Sequence, residues 1–451
     1  MRAAGRAATG LFALALVAGC ATVSSSPKLT PVDSSHVPFV PPAAFDRHAA
    51  SGKIQHVVII VQENRTFDNL FHGYPGADTV SSGKISTGQR VKLQPVDLQD
   101  QYVLDHSATG MFAACDGKSP GRDCKMDAFN LVGSYGGPKY PEYVYVPHEQ
   151  TKPYFALAGE FVLGDRMFQS HLDESFVSHQ YIIAAQAASA VNLPGGVWGC
   201  DGGASDTVTT LNKNRTYGAP VQACFNYTTL GDELDNANLT WRFYTSTIDD
   251  DGGEWSGYQA VDHIRYGPDW AKDVITPQTQ FFTDLSDGEL ANVTWITPVC
   301  ETSDHVNCGG DKGPMWVSTL VNAIGSSQFW DTTAVCVMGD DWGGLYDHVP
   351  PPYKDYDGLG FRVPLLIISP YAKQGSVTHV QYETGSILKF IEDQYGLAQM
   401  AASDTRANDP ADDPAAFDFS QSPRTYVPVG TMYTPAFFEN LPYDRRPPDD
   451  D

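Results

Sequence analysis

The chain has 451 residues, 42% of them hydrophobic, and a formal net charge of −25. That is enough apolar material for a large core, in one big α/β domain or two smaller ones. So acidic a surface repels phosphate backbones, which argues against nucleic-acid binding. It would also repel an anionic substrate unless a cation or local positive groups line the site, although acidity can serve solubility alone.

Residues 1–19 predict a signal segment. Arg2 and Arg6 form a positive start, and Leu11 to Ala18 an apolar run too short to span a bilayer. The run ends in Val17-Ala18-Gly19-Cys20, which resembles a lipobox and predicts cleavage before Cys20 and lipid on its thiol. An ordinary signal peptide with a chance cysteine is the alternative. Residues 20–50, rich in Ser, Pro, Thr and Val, predict a flexible tether. The expected product is an exported lipoprotein held at a membrane through Cys20, in the periplasm or at the outer membrane.

The stretch from His56 to Phe71 organises the rest of the chain. Its β-branched first half predicts a strand buried on both faces. Glu63 and Asn64 stand where the apolar run stops, at the strand end where ligands gather in open α/β sheets. They can hold a cation there or merely cap the next turn. His106 comes next, in a loop, where a lone histidine is usually structural. Cys115/Cys124, Cys200/Cys224 and Cys300/Cys308 form sequence-local pairs in loop sequence. Oxidation to these three disulfides is the simplest reading, with other connectivities open. Cys336 reads as a buried strand thiol.

From Ser175 the pattern turns helical, placing this serine at a helix N-terminus. An N-cap is the plainer role for it; a nucleophile whose target anion is stabilised by the helix end is the other. Ser170 and Ser178 are rival nucleophiles. Residues 190–235 predict a surface excursion without chemistry. Leu239 to Thr245 and Val293 to Thr297 predict strands, with His263 between them and Asp304-His305 beyond the second. A crossover helix is expected to end near Gly325. "TTAVCVMG" then repeats the opening logic: a buried strand ends in adjacent acids, Asp340 and Asp341. These are either two solvated turn aspartates or, since adjacent carboxylates repel, partners of a cation. A further strand in "FRVPLLIISPYAK" and an amphipathic helix in "HVQYETGSILKFIEDQYGL" complete the succession. Residues 401–451 form a Pro/Asp-rich tail, expected to be extended, poorly ordered or draped over the surface.

"QENRTFDNLF", "KMDAF", "HIRYG", "SDH" and "DDWGGLYDHV" resemble, in order, motifs of the bacterial phosphoesterase family. That family includes non-specific phospholipases C and certain acid phosphatases and resembles a branch of the alkaline-phosphatase superfamily. The resemblance runs from about residue 54 to about residue 397 and covers the expected catalytic domain, 51–400. It implies a three-layer α/β/α sandwich with a mixed, mostly parallel central sheet, which the strand–helix succession supports independently. It implies Glu63, Asn64, Asp340 and Asp341 as metal ligands, Ser175 as nucleophile and possible further ligand, and His106, His263 and His305 as catalytic contributors. Asp347 and His348 are implied as loop supports. Phospholipases of the family carry Pro-Asn-Arg after the nucleophile. Ser178-His179-Gln180 stands in place of that Asn-Arg here, and acid-phosphatase-like members are the better match.

The all-oxygen ligand set suits one hard divalent ion such as Ca²⁺, Mg²⁺ or Mn²⁺. The expected function is therefore phosphate-ester hydrolysis, foremost of phosphomonoesters through a phosphoserine. Phospholipase C action on phosphodiesters is the close alternative, and a non-catalytic binding lipoprotein the remote one.

Overall fold

A computed structural model describes residues 52–99, 102–248 and 252–442. The signal segment and the whole of the tether, residues 1–50, lie outside the described residues. Among the described residues, no helix is long and apolar enough to cross a membrane.

The long apolar runs form the central strands. In chain order the main elements are β1 (His56–Gln62), α1 (His148–Glu160), β2 (Val162–Gly164), α2 (Ser175–Ala184), β3 (Trp241–Tyr244) and β4 (Val274–Ile275). Then come β5 (Val293–Ile296), α3 (Lys312–Gly325), β6 (Thr333–Gly339), β7 (Leu365–Ile368), β8 (Ser376–Thr378) and α4 (Thr384–Tyr395). The eight strands form one sheet in the order β4-β3-β5-β1-β6-β7-β2-β8. Only β7 runs against its neighbours; every other pairing is parallel.

Parallel strands need crossovers, and right-handed crossovers decide which face each helix covers. The connections carrying α1 and α3 move one way along the strand order, and the one carrying α2 moves the other way. Accordingly α1 packs on α3 and α2 packs on α4, giving three layers. Both faces of β1 and β6 are therefore covered, which is why their sequences are near-continuous β-branched or apolar runs. The helix expected to end near Gly325 does end there, and α2 starts at Ser175 as its periodicity predicts.

All three sequence-local disulfides are formed, and Cys336 is a buried free thiol. Cys300–Cys308 closes the loop carrying Asp304 and His305 just beyond β5.

Residues 401–442, the described part of the expected tail, pack onto the domain. Ser403 Oγ donates to the Ala185 carbonyl at the end of α2, 2.8 Å away. Arg406 forks onto the buried Glu383. Phe417 stacks on Phe390 of α4, and Phe438 packs edge-on against Trp316 of α3 at 5.0 Å. Low periodicity hid these anchors, because single aromatics spaced along an extended chain bury area without a repeating pattern.

Truncating Phe438 to Ala leaves a hole against Trp316 and is expected to lower stability by about 3 kcal/mol, read as a fall in the urea midpoint. A midpoint unchanged from the parent would mean the segment contributes nothing to the core.

Candidate active site

The site arises from strand register. β1 and β6 pair in parallel with Gln62 opposite Gly339, so both strands end at the same level. The next residues on each strand, Glu63-Asn64 and Asp340-Asp341, are thus side by side. The Asp340 amide donates to the Gln62 carbonyl at 2.9 Å, and the Asn64 amide donates to Asp340 Oδ1 at 2.8 Å. Asn64 sits at φ +58°, a left-handed conformation that asparagine tolerates better than most residues. Facing it, Gly343 at φ +56° would put a Cβ 2.2 Å from the Asn64 carbonyl oxygen, so the two turns interlock only through a glycine.

Helix α2 brings its N-terminus to this point. Ser175 Oγ is 2.9 Å from Asp341 Oδ2 and 3.2 Å from Asn64 Oδ1. The rival serines are engaged elsewhere. Ser170 Oγ donates to Glu383 and accepts from the Gly385 amide, and Ser178 Oγ donates to the Asp340 carbonyl. His106 joins the cluster: its Nδ1–H donates to the Leu104 carbonyl at 3.0 Å, leaving Nε2 to accept from Asn64 Nδ2 at 3.2 Å. His106 Nε2 is also 3.8 Å from Asp341 Oδ2.

One member was missed by sequence reasoning. His179 Nε2 lies 3.2 Å from Glu63 Oε1 and 4.0 Å from Asp340 Oδ2. Its position four residues after Ser175, on the same helical face, was the available signal. Burial lowers its pKa to about 4, so the imidazole is neutral near pH 7.

The electrostatics of the cluster fit a cation. Glu63, Asp340 and Asp341 are each 0% exposed. Burial and then the neighbouring Asp340 push the Asp341 carboxyl well above the usual range. Burial also disfavours charge on Asp340, but Glu63, His179 and the Asn64 amide outweigh it and hold Asp340 below that range. Among the described residues, no donor lies at hydrogen-bond distance from the buried Asp340 Oδ2. A divalent ion between these oxygens would remove the repulsion and complete their coordination. Glu63 and Asp340 could hold it, and Asn64 and Asp341, the next residues along each strand, are turned toward Ser175.

Asp304 and His305 approach the same strand end from β5. The Asp304 amide donates to Gln62 Oε1, and the Asp304 carbonyl accepts from Arg65 Nε. Tyr154 donates to Asp304 Oδ2 at 2.6 Å, and burial pushes this carboxyl up to about 7. The His305 ring contacts the Val306 carbonyl and lies 5.9 Å from Trp255. His263 is turned to Asn226 Oδ1 at 2.6 Å and Asp232 Oδ1 at 3.0 Å, so its contacts are with those two residues and not with the Ser175 cluster. The excursion after residue 190 does reach the site's rim: Asn192 Oδ1 accepts from the Ala108 amide, two residues past His106.

Behind these residues lies an ion network centred on the buried Arg362. Arg362 forks onto Asp347 at 2.8 and 3.0 Å and is 3.5 Å from Asp68. His348 bridges Asp68 (2.6 Å) and Asp78 (3.0 Å). These contacts tie the turn after β1 to the turn after β6, the support implied for Asp347 and His348.

The pattern of the Phosphoesterase family matches residues 54–398. Over 435 residues the chain is 26% identical to a non-hemolytic phospholipase C of Pseudomonas aeruginosa, covering 84% of this chain and 59% of that one. Phospholipase C A of Mycobacterium tuberculosis is 24% identical over 438 residues, 83% of this chain and 79% of that one. The chain thus spans about three fifths of the length of the Pseudomonas relative. Among solved structures, a protein in the alkaline phosphatase superfamily from Vibrio parahaemolyticus aligns with 80% of this chain and 72% of its own, at 12% identity and a TM-score of 0.37.

His348 yields a pH prediction. Burial alone would lower its pKa, but the Asp68 hydrogen bond and the charges of Asp68 and Asp347 outweigh it, and the net shift is upward from 6.5. Its contribution to stability is then complete below pH 6.5 and is lost as pH rises through the elevated folded-state value. In urea titrations His348→Gln is expected to cost more stability at pH 5.5 than at pH 8.5. Equal losses at both values would remove the charged imidazole from the network.

Proposed function

The chain belongs to the Phosphoesterase family, and we propose that it hydrolyses phosphoric esters as a metal-dependent phosphomonoesterase with Ser175 as nucleophile. The observation that carries this reading is the 2.9 Å contact between Ser175 Oγ and Asp341 Oδ2 at the start of α2. Glu63, Asn64, Asp340 and Asp341 would hold the ion, whose charge would favour the serine alkoxide and neutralise the phosphoryl oxygens. Asp341 Oδ2 is the acceptor nearest the hydroxyl proton. The N-terminus of α2, where Ser175 stands, would favour the developing negative charge through the helix dipole. Ser175 Oγ bonds to phosphorus as the bond to the leaving oxygen breaks, and that oxygen takes up a proton. Water then attacks the phosphoserine, releasing phosphate and restoring the hydroxyl. Asn64 ties the machinery together, since its amide faces Ser175 with oxygen and His106 with nitrogen. His305, on the neighbouring loop, is a candidate to protonate the leaving group; His263 is left without a role by its contacts with Asp232 and Asn226.

The second reading is a phospholipase C. It is favoured by the names of the relatives from Pseudomonas aeruginosa and Mycobacterium tuberculosis. Export and attachment to a membrane through a lipidated Cys20 suit either substrate, and three disulfides fit an oxidising compartment.

The test compares phosphate release from p-nitrophenyl phosphate with phosphocholine release from phosphatidylcholine, with and without chelator. Ser175→Ala is expected to lower turnover by about 10⁴-fold or more, and chelation to abolish it until a divalent ion is returned. Turnover of the diester alone would make the protein a phospholipase C. Full activity of the Ser175→Ala variant would remove the nucleophile assignment, and inactivity of every form on both substrates would favour a binding protein.

A further inference from the structure

The expected ligand set contains only oxygen, but the cluster in the structure contains an imidazole. We propose that His179 Nε2 is a direct ligand of the active-site ion, and that this nitrogen selects a first-row ion (Mn²⁺, Fe²⁺, Co²⁺ or Zn²⁺) over Mg²⁺ and Ca²⁺. The inference rests on the metal-dependent reading above and deepens it.

Three observations converge on His179. The first is distance. Ligand atoms of Glu63, His179 and Asp340 all lie within 4.8 Å of one another, with His179 Nε2 at 3.2 Å from Glu63 Oε1 and 4.0 Å from Asp340 Oδ2. Two atoms each about 2.1 Å from one ion are separated by about 3.0 Å at a right angle and about 4.2 Å when opposite, so these spacings are those of a shared ion. The second is the orphaned acceptor. Asp340 is wholly buried and its Oδ2, on the side of His179, has no hydrogen-bond partner among the described residues. A hydrogen bond from His179 to Glu63 satisfies the imidazole but leaves this oxygen bare; an ion between the three serves all of them. The third is the helix. Ser175 and His179 are four residues apart on α2, so one helical face presents a hydroxyl to Asn64 and Asp341 and an imidazole to Glu63 and Asp340.

The choice of ion is set by the donor. Mg²⁺ and Ca²⁺ are bound through oxygen, and an imidazole in the coordination sphere gives them little. First-row transition ions and Zn²⁺ accept imidazole and carboxylate together.

The test is pulsed electron paramagnetic resonance of the full chain, stripped of metal and loaded with Mn²⁺, with bound metal counted by mass spectrometry. The expected result is ¹⁴N modulation from a coordinated imidazole that changes to a ¹⁵N pattern when histidine is ¹⁵N-labelled. It should persist in His106→Gln and vanish in His179→Gln. The latter variant should bind Mn²⁺ about tenfold more weakly or worse, with Mg²⁺ affinity little changed. Bound Mn²⁺ without nitrogen coupling would overturn the inference and leave the metal reading standing, as would coupling lost in His106→Gln. A chain that takes up no divalent ion would overturn both. Labelled wild type and His106→Gln decide the matter even if His179→Gln does not fold.

Discussion

Everything at the candidate site depends on one constraint, the shared register of β1 and β6. Parallel pairing with Gln62 opposite Gly339 brings two pairs of oxygen-bearing residues out of the sheet at one height. Because side chains alternate as the chains leave the sheet, Glu63 and Asp340 turn toward His179 while Asn64 and Asp341 turn toward Ser175. A slip of one residue would reverse both assignments. The central strands leave no room for one, since both faces of β1 and β6 are packed.

Concentrating buried carboxylates is unfavourable unless opposite charge or donors meet them. The structure answers this in two layers. At the site, hydroxyl, amide and imidazole groups meet the acids, and the oxygens remain arranged for a cation. One shell farther out the compensation is built in: Arg362 lies between Asp347 and Asp68, and His348 spans Asp68 and Asp78. This fixed cationic network binds the two turns that the strands deliver.

The remaining elements bring groups to that point. Helix α2 contributes its positive end and two side chains one turn apart. The Cys300–Cys308 loop docks Asp304 against Gln62 and Arg65 at the end of β1. The segment beyond residue 400 fastens the far end of α2 through Ser403 and covers α3 and α4 with aromatics. On the proposed reading, an acidic protein presents an anion-binding point because the local field at a helix end, together with a cation held there, would outweigh the average surface charge.

Local sequence determined a good deal of this protein. Apolar runs marked β1, β5, β6 and β7, helical periodicity placed the start of α2 at Ser175, and the acids at strand ends marked the residues that the structure gathers beside it. These features depend on short-range pattern, and a buried parallel strand has a composition of its own. The cysteine pairs were legible for the same reason, being close in sequence. What only the tertiary structure decided were the partners. His179 looked like one more member of a buried helical face until packing turned its ring onto Glu63 and Asp340. His263 carried a site-like motif, yet a hydrogen bond to Asp232, 31 positions earlier in the chain, claimed it. Phe417 and Phe438 looked like parts of a tail, yet hydrophobic faces left open on α3 and α4 drew them in. In each case the outcome rested on a residue distant in sequence, which no local periodicity encodes.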